Sequence, residues 1–97
     1  MEKIDIDRID NVIHGRIRLG IMAYLARNQV ADFNELKRSL DATQGNLSVH
    51  LSKLEDAKYV RIEKGYLGRK PRTRIHLTPA GRKALDNYLT QLTELLG

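Results

Sequence analysis

Two apolar helical seams separated by only two residues, with a change of period directly after the second, restrict what this chain can fold into more than any other feature. Asp32-Phe-Asn-Glu35 opens the first seam: Asp32 is placed to cap a helix and Glu35 to reach back to its amide. Phe33, Leu36 and Leu40 then recur at helical spacing over residues 33–40. Asp41-Ala42 is too short for anything but a turn. Thr43 then caps a further helix over residues 44–57, whose buried seam is Leu47, Leu51 and Leu54. After Lys58 the period becomes two, with Val60, Ile62 and then Lys64 pointing one way and Arg61 and Glu63 the other.

The flanks complete the plan. Ile13, Ile17, Ile21 and Leu25 recur every four residues, and Val12, Leu19, Met22 and Tyr24 widen their stripe, which predicts a first helix over residues 10–27 ended by Asn28-Gln29. Val30-Ala31 has room for a very short strand. Gly65, Gly68 and Pro71 mark residues 65–72 as a loop, and Thr73-Arg-Ile-His-Leu77 alternates again. Residues 59–77 therefore read as a hairpin with a long basic tip. Thr78-Pro79 supplies a capping hydroxyl and a first-turn proline for a last helix over residues 79–96. The 97 residues suit one domain, preceded by an arm at residues 1–9. The expected class is α+β, mainly α: a three-helix core, a two-stranded hairpin and a C-terminal helix. Two short helices joined by a tight turn (residues 32–57) and followed by a basic hairpin form the plan of a winged helix-turn-helix.

The net charge of +5 favours a polyanionic partner, and its distribution says more than its sum. Lys58, Arg61, Lys64, Arg69, Lys70, Arg72, Arg74, Arg82 and Lys83 crowd one stretch in which Glu63 is the lone acid, so repulsion there is expected to be uncompensated. No apolar run has the length of a membrane span or a signal peptide, and a cytoplasmic protein is expected. With no cysteine, a disulfide framework and a thiolate metal site are excluded. His14, His50 and His76 lack metal-ligand spacing, and His50, beside the buried seam, is expected to be packed or hydrogen-bonded. No carboxylate pair, nucleophile–base set or phosphate loop is present, so neither an enzyme nor a cofactor is expected.

Two stretches carry a family likeness. Gly45-Asn-Leu-Ser-Val-His-Leu-Ser-Lys-Leu-Glu-Asp-Ala-Lys-Tyr-Val60 resembles the recognition helix and exit of MarR-like and ArsR-like regulators. Gly68-Arg-Lys-Pro-Arg-Thr-Arg-Ile-His-Leu-Thr-Pro-Ala-Gly-Arg82 resembles the wing, second strand and final helix start of a group of short, stand-alone winged-helix regulators in that superfamily, which Arg16-Ile-Arg-Leu-Gly-Ile-Met also fits. The resemblance implies a homodimer on a pseudo-palindromic operator. One helix of each subunit would lie in the major groove and the wing on the backbone or minor groove. The family often has Gly where this chain has Lys58; a left-handed Lys58 would cost on the order of 1 kcal/mol relative to Gly. The cysteine metal motif of ArsR-like sensors is absent. So are the long flanking helices of full-size MarR-like proteins, and neither the metal site nor the ligand pocket is carried over. A small-molecule effector is left open.

With Leu47 at the centre of the buried face, 100° per residue turns Gly45, Val49, Ser52 and Asp56 outward, flanked by Asn46, Ser48 and Lys53, with Gln44 at the tip. Gln and Asn can pair with adenine, Val49 can meet a thymine methyl, and Thr43 with the helix N-terminus can hold a phosphate. On the hairpin, Lys64, Arg69, Lys70, Arg72 and Arg74 are the candidate phosphate or minor-groove contacts. Tyr66, beside Leu67, reads equally as a wing anchor or a sugar contact. The last helix carries a wide stripe: Leu85, Leu89, Leu92 and Leu96 on one side, Tyr88 and Leu95 on another. Together with the first helix and with Ile4, Ile6 and Ile9 of the arm, these residues are the expected twofold interface, the alternative being that both sides fold back on the first helix. Besides a sequence-specific regulator of double-stranded DNA, the chain is compatible with a winged-helix module that binds a protein, or with a non-specific nucleic-acid binder. The 5% aromatic content argues against stacking on single strands.

Overall fold

The computed structural model describes residues 4–97, so the first three residues of the expected arm lie outside it. A 3-10 turn at Ile6–Arg8 precedes α1 (Arg16–Asn28), β1 (Val30–Asp32), α2 (Phe33–Ser39), α3 (Gln44–Asp56), β2 (Val60–Leu67), β3 (Lys70–Leu77) and α4 (Pro79–Leu96). The three strands form an antiparallel sheet in the order β1-β3-β2.

The capping signals act as the sequence implies. Glu35 accepts from the Asp32 amide at 3.3 Å, the Thr43 hydroxyl from the Asn46 amide at 3.2 Å, and the Thr78 hydroxyl from the Gly81 amide at 2.9 Å. Each pairs an amide that the first turn of a helix leaves unpaired. The seams converge on one core: Ile17, Ile21, Met22 and Leu25 from α1, Leu36 from α2, Leu47, Leu51 and Leu54 from α3, Val60, Ile75 and Leu77 from the sheet, Leu85 and Tyr88 from α4.

Two expected boundaries are corrected. The first helix starts at Arg16, not near residue 10. Asp10 Oδ1 instead accepts from the amides of Val12 (2.8 Å) and Ile13 (3.2 Å), closing a turn that Arg18 Nε ties back through the Val12 carbonyl (2.6 Å). Ile13 is nevertheless fully buried, because the turn delivers it to the position the helical stripe would have used. The expected loop at residues 65–72 is strand almost throughout. β2 and β3 pair from Val60↔Leu77 to Leu67↔Lys70, leaving only Gly68-Arg69 as the turn. Gly68, at φ +65°, takes the position that a type II′ turn reserves for glycine. Pro71 is tolerated because it sits opposite Tyr66, one pair beyond the hydrogen-bonded pair that closes the turn. Its missing N–H would face the edge of β3 that β1, paired only from Arg74 onward, does not cover.

Lys58 leaves α3 in the left-handed conformation (φ +67°), as its place in the family pattern implies. The chain then locks onto α4: the Thr78 hydroxyl donates to the Lys58 carbonyl (2.7 Å) and the Thr78 amide to the Tyr59 carbonyl (3.1 Å). Gly81 is buried directly against that same Tyr59 carbonyl, and a Cβ at this position would collide with it.

Candidate nucleic-acid interface

α3 hides Leu47, Leu51 and Leu54 and turns the rest outward. Gln44, Gly45, Asn46, Ser48, Val49, Ser52 and Lys53 are all exposed, as is Thr43 at the cap. Val49 is 55% exposed, with no apolar neighbour in sequence on its face. Gly45 has open space where a side chain would stand, so a partner can approach the first turn closely. His50 sits at the edge of the seam, half-buried, with its Nδ1 2.9 Å from Arg18 Nη1. Arginine can only donate, so the imidazole accepts and is neutral. Burial first, then the Arg18 and Lys53 charges, hold its pKa below the ordinary histidine value.

The strand register sorts the wing into two faces. Val60, Ile62, Lys64 and Tyr66, with Pro71, Thr73, Ile75 and Leu77 opposite, form the face that packs on the core and looks toward α3. Arg61, Glu63, Gly65 and Leu67, with Lys70, Arg72, Arg74 and His76, form the other. The five candidate cations are therefore not equivalent. Arg72 Nε donates to Asp32 Oδ1 at 3.1 Å, and Arg74 Nη2 lies 3.1 Å from Glu63 Oε1. Lys64, Arg69 and Lys70 are exposed and form no ion pair among the described residues.

The repulsion expected to be uncompensated in this stretch is relieved in part, a further correction. Glu63 reaches His76 (3.2 Å) and Arg61 (3.9 Å) as well as Arg74. The His76 hydrogen bond and the surrounding cations hold its carboxyl below the usual carboxylate range, against the opposing effect of burial. Neither this cluster nor the Asp32–Arg72 pair is legible locally. Asp32 and Arg72 are 40 residues apart, and nothing in their neighbours marks them as partners.

Between α3 and the inner face of the wing lies a cleft of about 300 Å³. Gln44, Ser48 and Ser52 line one wall, Lys64 and Thr73 the other, over a floor of Phe33, Leu51 and Ile62. Polar groups suited to base edges and a cation suited to phosphate thus open onto one space.

The expected twofold residues divide. Leu85 and Tyr88 are buried in the chain's own core, where the Tyr88 hydroxyl meets His14 Nδ1 at 2.9 Å, so they are not available to a second copy. The stripe on α4 is wide because one side of it serves the core. Ile9 and Leu92 are partly buried against that core. Ile4, Ile6, Leu89 and Leu96 remain exposed, at 65%, 66%, 50% and 84%. Leu95 lines a groove with Ile4 and Ile9, bordered by an Arg8–Glu94 ion pair at 3.0 Å.

Known proteins share this arrangement. A family described as winged helix DNA-binding domain matches residues 17–96. An uncharacterized protein of Methanocaldococcus jannaschii is 34% identical over 84 residues, covering 87% of this chain and 91% of its own. The structure of a transcriptional regulator homologue from Pyrococcus horikoshii superposes with a TM-score of 0.84 at 31% identity, over 90% of this chain and 86% of that one. A MarR-family regulator from Silicibacter pomeroyi shares the fold (TM-score 0.69, 24% identity), over 88% of this chain but 56% of its own.

Proposed function

This chain belongs to the winged helix DNA-binding domain family, and from that premise we propose that it is a cytoplasmic, homodimeric regulator of transcription that reads the sequence of double-stranded DNA. The observation that carries the reading is the cleft in which Lys64 of the wing faces Gln44, Ser48 and Ser52 of α3. In this reading α3 enters the major groove. Gln44 and Asn46 pair with base edges, Val49 meets a thymine methyl, and the small Ser48 and Ser52 let the helix settle close to the bases. Thr43 and the amides of the first turn hold a phosphate, while Lys64, Arg69 and Lys70 follow the backbone or minor groove. Arg72 and Arg74 act mainly through the carboxylates they hold. The role is regulatory, not catalytic.

Leu89, Leu96, Ile4 and Ile6 are exposed, which supports a second copy covering them. The two recognition helices would then read half-sites about one helical turn apart. The test is selection of bound sites from a random duplex library with the purified chain at near-physiological salt. Enrichment of an inverted repeat with fixed half-site spacing is expected. No enrichment, with binding that disappears as salt rises, would replace this reading with non-specific phosphate binding.

A further inference from the structure

Tyr66 and Leu67 are the most exposed large apolar side chains of the hairpin, at 75% and 65%, and they stand at its tip. Being consecutive on β2, they project to opposite faces: Tyr66 toward the face of Lys64, Leu67 toward that of Lys70. Around them Lys64, Arg69 and Lys70 carry no ion pair among the described residues, whereas Arg72 and Arg74, further down, are held by Asp32 and Glu63. An apolar pair ringed by unpaired cations complements a surface that is anionic along its rims and less polar within. The minor groove has that character, with phosphates on both edges and sugars along both walls.

We propose that the wing tip enters the minor groove edge-on, with Tyr66 against the sugars of one strand and Leu67 against those of the other, and that it widens the groove and bends the duplex toward the major groove. This rests on the DNA-binding reading above and adds a deformation to it. The dimensions favour it. The minor groove is about 6 Å wide, and a ribbon with side chains on both faces is roughly 10 Å thick. Opening the minor groove tilts the flanking base pairs toward the major groove, as apolar wedges do. Pyrimidine–purine steps deform most readily, so the wing contributes sequence preference where it makes no base-edge hydrogen bond.

The test compares one duplex of mixed sequence in two forms: linear, and closed into a minicircle of about 100 base pairs, shorter than the persistence length. Outward-facing minor grooves of the circle are already widened. The wild-type chain is expected to bind the circle roughly fivefold or more tightly than the linear form. Tyr66→Ser with Leu67→Ser, both at exposed positions, should bring the two affinities together and leave the salt dependence unchanged, since no charge is lost. Equal wild-type affinities, or a preference that survives the double substitution, would overturn the wedge and leave DNA binding standing. Binding to neither form would overturn the DNA-binding reading itself. A lower sedimentation mass for the double variant would assign the pair to a contact between copies, which also overturns the wedge.

Discussion

Lys58 holds a conformation that suits glycine, at the point where α3 hands over to the wing. The Thr78 hydroxyl needs only the Lys58 carbonyl, which any residue supplies. Lys58→Gly should therefore stabilise the domain by roughly 0.5–1 kcal/mol, the left-handed strain relieved less the extra entropy of an unfolded glycine. Thermal unfolding checks it, as a rise in Tm of a few degrees. Tyr59, the next residue, donates to Asp10 Oδ2 at 2.6 Å, and its pKa is pushed up to about 12, by that hydrogen bond first and burial second. An acid whose folded pKa lies above its unfolded value contributes stability that is complete below pH 10 and is lost as pH rises from 10 toward 12. Denaturant unfolding across that window should show the decline, and Tyr59→Phe should flatten it. The left-handed Lys58 was legible only through the family resemblance, because the family often has Gly at this position. The Tyr59–Asp10 bond was not legible, since 49 residues separate its partners.

At the scale of elements, the wing separates two kinds of cation that the sequence alone could only group. Arg69 at the turn has no carboxylate partner, whereas Arg72 is tied to Asp32, which also starts α2. Arg69→Ala is expected to weaken binding to every duplex and to lower the salt slope by about one unit. Arg72→Ala should weaken binding with a smaller change in slope, because what it loses is the tie that sets the wing against the helix-turn-helix. Titrations at several salt concentrations distinguish the two; equal slopes would mean that Arg72 reaches phosphate despite its partner. The hairpin also marks how far pattern goes. Alternation located both strands, but Gly65 and Pro71 concealed their inner ends, since a composition typical of loops is compatible with an edge where ladder partners are not needed. Periodicity likewise placed Ile13, Ile17, Ile21 and Leu25 in the core while missing that Ile13 arrives from a turn. A period reports which side chains share a face, not which backbone carries them.

The whole molecule extends 61 Å along its longest axis and about 25 and 21 Å across the others. α4 continues past Leu85 and Tyr88, the last residues it buries fully, to end on the exposed Leu96. If a second copy covers that end, Leu89→Glu should halve the mass seen by sedimentation while leaving the helical circular dichroism unchanged, since Leu89 lies outside the core. An unchanged mass would remove this face from the interface. Which residues of the stripe serve the core and which remain for a partner could not be resolved from sequence. Leu85 and Leu89 are one turn apart and of one type, and only the position of α1 separates them.

The junction at Tyr59 bears on how such a pair would respond to anything that shifts it. Its carbonyl receives the Thr78 amide and abuts Gly81, so the exit of α3 and the first turn of α4 share one backbone group with no side chain interposed. Such a junction has the build of a crank, with a backbone group as its pin. In the proposed dimer, a twist applied to the far end of α4 would pass to α3 through that one group, and the gap between the two reading heads would follow the angle at which their shafts cross.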